Sequence, residues 1–106
     1  MLKSYNFSKK DEINSVSATP LQKVKGQTLH VTGAAITVRV DEETKEERQV
    51  ALLASDQGTF TSISGTVIKV LDLIIDYMTE EEAAVDVKVN ASKSNAGREF
   101  ITLELV

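Results

Sequence analysis

The chain has 106 residues, a net charge of −4 at pH 7 and no cysteine. This length suits one domain with a single hydrophobic core, and the absence of cysteine excludes disulfides, thiolate zinc sites and cysteine nucleophiles. The longest apolar segment, VIKVLDLII, contains Lys69 and Asp72 and is far shorter than the roughly 20 residues that span a bilayer. We therefore expect no membrane partner. The N-terminus has no apolar signal segment, so a cytoplasmic location is the default expectation.

Positive and negative charges occupy different parts of the chain. Residues 1–25 contain five lysines and two acids, and residues 87–98 contain three cations and no acid. Acids cluster instead in residues 41–47 and 72–82. Phosphate binding needs a positive surface, so an acidic chain can still bind nucleic acid if these segments lie on different faces. The alternative is that the charges are simply solvated.

The N-terminal third has the least regular pattern. SYNFS and INSVSA each read as a candidate strand, and Pro20 breaks whatever precedes PLQKVKGQ. We expect residues 1–106 to form a single domain, in which residues 1–12 either take part or form a flexible basic arm.

The next segment, QTLHVTGAAITVRV, predicts a strand whose phase changes partway. Leu29 and Val31 share one parity, whereas Ile36 and Val38 share the opposite one, and Gly33 lies between them. A shift of one residue would turn every later side chain to the wrong face, so we expect a bulge centred on the glycine. A long, bent strand of this kind suits a barrel.

The later elements have clearer signals. DEETKEE predicts an exposed hairpin tip, and VALLA predicts a buried strand followed by a turn at residues 56–58. A stripe with helical spacing then predicts a helix over residues 65–78, with Ser62 or Ser64 as N-cap. Finally, AVDVKVNA and REFITLELV alternate cleanly and predict a hairpin closed by SKSNAG.

This order of elements predicts a mainly β protein with one helix. Five strands with a helix between the third and fourth are typical of the OB-fold, a small, partly open barrel that binds oligonucleotides across its strands and loops. Without a first strand, the same order fits a β-grasp domain. The deciding feature is whether residues 3–18 contribute a barrel strand. The glycine bulge favours the five-stranded OB-fold barrel, since closure requires bent strands.

Three stretches also carry a family resemblance. The succession TPLQKVKGQTLHVTGAAI, VALLASDQGTFTSIS and TVIKVLDLI resembles small phage- and plasmid-encoded single-stranded DNA-binding proteins of the OB type, over roughly residues 20–106. The chain departs from that pattern by having Asp56-Gln57-Gly58 in place of a bare Asp-Gly turn. It also lacks the acidic tail of bacterial relatives, which weakens any expectation of tail-mediated recruitment of replication proteins.

Binding of single strands requires aromatic faces on which bases stack and cations that hold the backbone. The candidate nucleic-acid-binding residues are Tyr5, Phe7, Lys9, Lys10, Arg39, Arg48, Phe60, Lys88, Lys93, Arg98 and Phe100. Alternation of side chains places Phe100 on the polar face of its strand, and we expect Lys88 and Arg98 to flank it. Lys93 lies on the loop between the last two strands, where OB-folds bind ligands.

Several of these candidates have a structural alternative. Tyr5 or Phe7 could pack under the barrel, and Phe60 could form a hydrophobic staple against the helix. Phe100 could instead fill a cross-strand pair or a dimer contact. Arg39 and Arg48, across the acidic hairpin from each other, could simply pair with Glu42 or Glu47.

We expect no catalysis, cofactor or metal. The sole histidine, His30, has no motif around it, no HExxH, GxSxG or GxxxxGKS spacing occurs, and DEETKEE lacks the spacing of an EF-hand loop. The sequence thus predicts a sequence-tolerant single-stranded DNA-binding protein acting in phage or mobile-element replication or transfer. Replication proteins and further copies of the chain remain candidate partners. The alternative function is a phage accessory module that docks a host protein.

Overall fold

The computed structural model describes residues 2–93 and 95–106. In chain order its strands and α-helices are β1 (Lys3–Tyr5), α1 (Lys9–Asn14), β2 (Thr19–Pro20), β3 (Thr28–Val40), β4 (Glu47–Ser55), β5 (Gly58–Ser62), α2 (Gly65–Glu80), β6 (Val85–Lys93) and β7 (Glu99–Leu105). Short 3-10 helices lie at Ser15–Ser17 and Leu21–Val24. In this described part of the chain, no helix has the length and apolar character to cross a membrane.

All strands belong to one sheet in the order β2-β5-β4-β3-β6-β7, with β1 paired to β3. The sheet curls into a half-barrel, because the long strand β3 pairs antiparallel with β6 through its first residues and with β4 through its later ones. Five strands (β3, β4, β5, β6 and β7), with α2 between the third and fourth, give the predicted OB order. The mainly β, OB-like fold is therefore confirmed, and the β-grasp alternative is disfavoured.

Two details of the predicted architecture are wrong. Within the described residues seven strands form in place of five: residues 3–18 contribute the short strand β1, which pairs with β3, and β5 is a strand that the sequence did not predict. A second α-helix, α1, also forms, and INSVSA, which suggested a strand, contains the end of this helix and the 3-10 helix Ser15–Ser17. The cause of α1 is a capping box: the backbone amide of Asp11 donates to the Ser8 hydroxyl (3.2 Å), and the amide of Ser8 donates back to the Asp11 carboxylate (2.9 Å).

The main core lies between the inner face of the curled sheet and α2. The predicted helical stripe is confirmed, since α2 buries Val67, Leu71, Ile74, Ile75 and Met78. Alternate residues of the β6–β7 hairpin complete this core, again as predicted. Ser64 occupies the N-cap position of α2, although its side chain makes no capping hydrogen bond there.

The predicted bulge in β3 is confirmed. The pairing of β3 with β4 shifts register between Val31 and Gly33. The chain crosses β3 so closely at this point that a Cβ on Gly33 would lie 2.3 Å from the carbonyl oxygen of Asn6. Asn6 is also fixed there by its side-chain amide, which donates to the carbonyl of Thr32 at 3.0 Å. Glycine is therefore required at position 33 by contact with another part of the backbone.

Gly33→Ala is expected to lower the free energy of unfolding by about 1–3 kcal/mol, because the added methyl group overlaps a backbone atom that can move only with β1. Urea denaturation of both proteins measures the change. Gly65→Ala is the matched control, because a Cβ at Gly65 meets no atom within 4 Å. Equal denaturation midpoints for Gly33→Ala and the wild type would contradict this explanation.

A cross-strand ion pair joins β3 to β6. His30 faces Asp86 in register, and the Nδ1 atom of His30 lies 2.9 Å from a carboxylate oxygen of Asp86. This hydrogen bond raises the pKa of His30 above its ordinary value of 6.5. Desolvation opposes the rise by a smaller amount, and the charge of Asp56 adds to it. The histidine thus has the cross-strand role that its position on an alternating strand suggested.

Asp86→Asn is expected to lower the pKa of His30, as followed by NMR titration of the imidazole. Since folding raises this pKa, the pair stabilises the protein fully below the unfolded value of 6.5 and loses that effect as the pH rises through the higher folded value. The stability difference between wild type and variant should therefore shrink as the pH rises through that window. An unchanged pKa of His30 in the variant would show that Asp86 is not its partner in solution.

Candidate nucleic-acid interface

The sheet has a second apolar surface on the side away from the main core. On β3 and β4, Ala34 and Leu53 point into the main core, whereas Ala35, Val50 and Leu52 form a separate small cluster. We call the latter side of the sheet the outer face. The half-buried ring of Phe7 packs on this cluster. One predicted aromatic therefore lies on the outer face.

Beyond this cluster, β3 and β4 continue as a two-stranded arm. Residues 37–40 pair with residues 47–50, and the structure gives this stretch no other strand partner within residues 2–93 and 95–106. In the arm, Arg39 stands directly opposite Arg48. Both have the parity of the outer cluster, so alternation places the two guanidinium groups on the outer face.

Like charges directly opposite each other destabilise a sheet, so an anion bound near Arg39 and Arg48 would relieve their mutual repulsion. Among the described residues neither arginine forms a salt bridge, and the alternative pairing with Glu42 or Glu47 is not found. The adjacent carboxyl of Asp41 accepts hydrogen bonds from the amides of Glu43 (2.8 Å) and Thr44 (3.2 Å). These bonds, with a smaller effect of the Arg48 charge, lower the pKa of Asp41.

A row of cross-strand neighbours leads from the outer cluster to the far edge of the sheet. Ala35 pairs with Leu52, Leu52 with Thr61, and Thr61 with Pro20. Adjacent strands lie about 4.8 Å apart. The row therefore crosses four strands on one surface, beginning beneath the ring of Phe7.

Phe100 stands at the other end of this row. Its half-buried ring lines a cleft of about 340 Å³ together with Thr61 and Pro20. The structure therefore explains why a phenylalanine occupies the polar face of β7: its ring meets the edge formed by β2 and β5. Phe7 and Phe100 thus stand at opposite ends of one surface.

A salt bridge that the sequence did not predict borders this cleft. The ammonium group of Lys25 binds the carboxylate of Glu99, and this bond lowers the pKa of Glu99. The charge of Lys93 lowers it further. The sequence did not identify Lys25 and Thr61 as site residues. Only the curl of the sheet brings them close to β7, and no local sequence pattern indicates that contact.

Three predicted residues lie away from this surface. Phe60 is 5% exposed, belongs to the main core opposite Leu53 and offers no face to a base, which corrects its assignment as a stacking residue. Tyr5 is half-buried against the same main core. Lys88 pairs with Glu104, four residues along β6 from the partner of Phe100, Ser92. Lys88 therefore does not flank Phe100, and the prediction that it would is wrong.

The remaining predicted cations are exposed at the edges. Lys9 and Lys10 begin α1, directly after Phe7 and Ser8. Lys93 ends β6 opposite Glu99, and Arg98 precedes β7. Ser94, which follows Lys93 in the SKSNAG loop, lies outside the described residues.

An OB-like half-barrel with aromatic rings and cations on one surface is the arrangement that single-stranded nucleic-acid-binding proteins of the OB type use. Comparison with known families agrees: a family model described as phage single-stranded DNA-binding protein, of the phi29 phage type, matches residues 7–106. The chain belongs to this family, which confirms the predicted resemblance and single-stranded DNA binding in phage replication. Comparisons with curated proteins and with solved structures gave no match.

Phe60→Ala is expected to lower the free energy of unfolding by about 3–5 kcal/mol, because it leaves a cavity in the main core. Phe100→Ala should cost clearly less, since its ring is only half-buried at a cleft. Thermal or urea unfolding of both variants measures the difference. Equal losses of stability would contradict the placement of these two rings on opposite sides of the sheet.

Proposed function

We propose that single-stranded DNA lies along the outer face, from the β3–β4 arm across the row of Ala35, Leu52 and Thr61 to Phe100. The observation that carries this proposal is that one continuous surface joins two aromatic rings to an arginine pair without a carboxylate partner in the described part of the chain. The protein would coat strands displaced during phage or mobile-element replication or transfer, in the host cytoplasm and without catalysing a reaction.

In this proposal the aromatic rings bind the bases and the arginines bind the phosphates. Phe7 and Phe100 each offer a ring to a base, and a stacked base contributes about 1–3 kcal/mol. Arg39 and Arg48 hold the backbone, and binding of phosphate relieves their mutual repulsion. Lys9 and Lys10, at the start of α1, extend the positive surface beyond Phe7.

Low sequence dependence follows from the same chemistry. An aromatic face accepts any base, because every base has a π-face, and contacts to phosphate carry no sequence information. We therefore propose that affinity depends weakly on base sequence and strongly on salt. Release of counterions gives a slope of log K against log salt of about −0.7 for each phosphate that is neutralised on a single strand.

Arg48→Gln, and equally Arg39→Gln, is expected to weaken binding of labelled oligo(dT) and to make the salt slope shallower by about 0.7. Fluorescence anisotropy at several salt concentrations measures both quantities. Lys88→Gln is the matched control: it also removes one positive charge, but from a lysine that stands opposite Glu104, four residues along β6 from the partner of Phe100 and outside the proposed path.

Two results would contradict the proposed path. One is a larger loss of affinity for Lys88→Gln than for Arg48→Gln, which would move the DNA onto the β6–β7 surface. The other is failure of the wild type to bind oligo(dT) at tens of micromolar protein and low salt. A comparison of oligo(dT) with mixed-sequence oligonucleotides of equal length tests the sequence tolerance.

A further inference from the structure

A groove of about 710 Å³ lies between β3, β4 and the start of α2. Its lining includes Leu2, Ile36, Arg48, Ile63, Ile68 and Lys69. Two of the apolar side chains are unusually exposed, Leu2 at 58% and Ile63 at 64%. An exposed apolar patch of this kind marks a contact site for another molecule.

The lining residues within the described chain include no aromatic ring, so the groove is not built to stack bases. Its one acid, Asp72, is already bound by Lys3, whose ammonium group lies 2.7 Å from Asp72 and 2.6 Å from Asp76. Lys69, by contrast, forms no salt bridge with any described residue. The groove is therefore apolar with an excess of positive charge. It is complementary to an apolar surface that carries acidic residues at its edge.

The chain itself presents such a surface at the other end of α2. Leu73 is 64% exposed and Tyr77 is 37% exposed. These residues are four apart and share one side of the helix, with Glu80 one turn further along. Two more acids follow immediately in the sequence, Glu81 and Glu82. We call Leu73, Tyr77 and Glu80 the acidic ridge.

The charges of α2 run against its dipole. A helix is stabilised by acids in its first turn and by bases in its last turn, yet α2 has neither. Its acidic end coincides instead with the negative end of the dipole, and Lys69 lies near the positive end. Both ends are therefore electrostatically uncompensated in a single copy, and contact between the two ends of neighbouring copies would compensate both.

We propose that the acidic ridge of one copy docks in the groove of the next, so that copies associate head to tail. If each copy uses its groove toward one neighbour and its ridge toward another, the contact does not close on itself unless the rotation forms a ring, so it extends as an open row, whereas two copies that fill each other's grooves would form a closed pair. The groove shares Arg48 and Ile63 with the surface proposed for DNA, but Leu2, Ile68 and Lys69 lie beyond that surface, so a neighbour docked there would stand beside the bound strand. This inference rests on the proposed DNA binding and adds the surface through which coating becomes cooperative.

The test compares single-site affinity with cooperativity. The shortest oligo(dT) that binds one copy, within the range of about 4–16 nucleotides for an OB-fold, reports the intrinsic affinity. Long poly(dT) reports the cooperativity. Lys69→Glu or Glu80→Lys should lower the cooperativity parameter of the wild type at least about tenfold, because each puts like charges in contact, and should leave short-oligonucleotide affinity nearly unchanged.

Combining Lys69→Glu with Glu80→Lys provides the sharpest control. The double variant has the net charge of the wild type and restores opposite charges across the contact, so it should recover cooperativity. Leu73→Ser should lower cooperativity, whereas Ile13→Ser should not, since Ile13 is equally exposed (66%) but lies on α1, away from both surfaces.

Each contrary outcome has a distinct meaning. Non-cooperative binding of long poly(dT) by a wild type that still binds the short oligonucleotide overturns this inference and leaves the proposed function intact. Failure of the double variant to recover cooperativity also overturns it. Loss of short-oligonucleotide binding by Lys69→Glu assigns the groove to DNA instead. Failure of the wild type to bind the short oligonucleotide contradicts the proposed function itself.

Discussion

The close crossing of two backbone segments at Gly33 is the constraint on which the rest of the structure depends. Because position 33 has no Cβ, the carbonyl of Asn6 can lie against β3, and the bulge there changes the phase of the strand. Before the bulge β3 pairs with β6, and after it β3 pairs with β1 and β4. Without that change of phase, Arg39 would turn toward the core side of the sheet. The outer face is therefore a consequence of one glycine.

The β3–β4 arm gives this small domain two working surfaces. One side carries the arginine pair next to the apolar cluster under Phe7, and the other side forms a wall of the groove beside α2. The two surfaces meet at Arg48, which has the parity of the outer face and also lines the groove. A chain with a net charge of −4 can therefore hold an anionic strand on one side while its acids are concentrated elsewhere, at the hairpin tip and the end of α2.

Elements with strong periodicity could be predicted from the sequence. The phase change around Gly33, the buried stripe of α2 and the β6–β7 hairpin all followed from side-chain spacing, because burial on one face leaves a regular pattern. The short elements could not be predicted in this way. A six-residue helix depends on the hydrogen bonds of Ser8 and Asp11, and β5 is too short for its alternation to stand out from the neighbouring turn and helix cap.

The candidate site was predicted only in part, for a related reason. Residue type and neighbouring charges singled out Phe7, position across the hairpin singled out the two arginines, and strand parity singled out Phe100; in the structure all four lie on the side of the sheet away from the main core. The same reasoning could not tell that Phe60 faces the core or that Lys88 lies four residues from Ser92. Those facts depend on strand register, and register depends on contacts between residues that are distant in the chain.

The most direct measurement of the central claim is a map of amide chemical-shift changes when short oligo(dT) is added to isotope-labelled protein. DNA binding along the outer face predicts the largest changes in three places: near Phe7, along the arm at Arg39 and Arg48, and around Thr61 and Phe100. The exposed side of α2, at Leu73 and Tyr77, should change little. Changes concentrated on α2, or at Lys88 and Glu104, would contradict the claim.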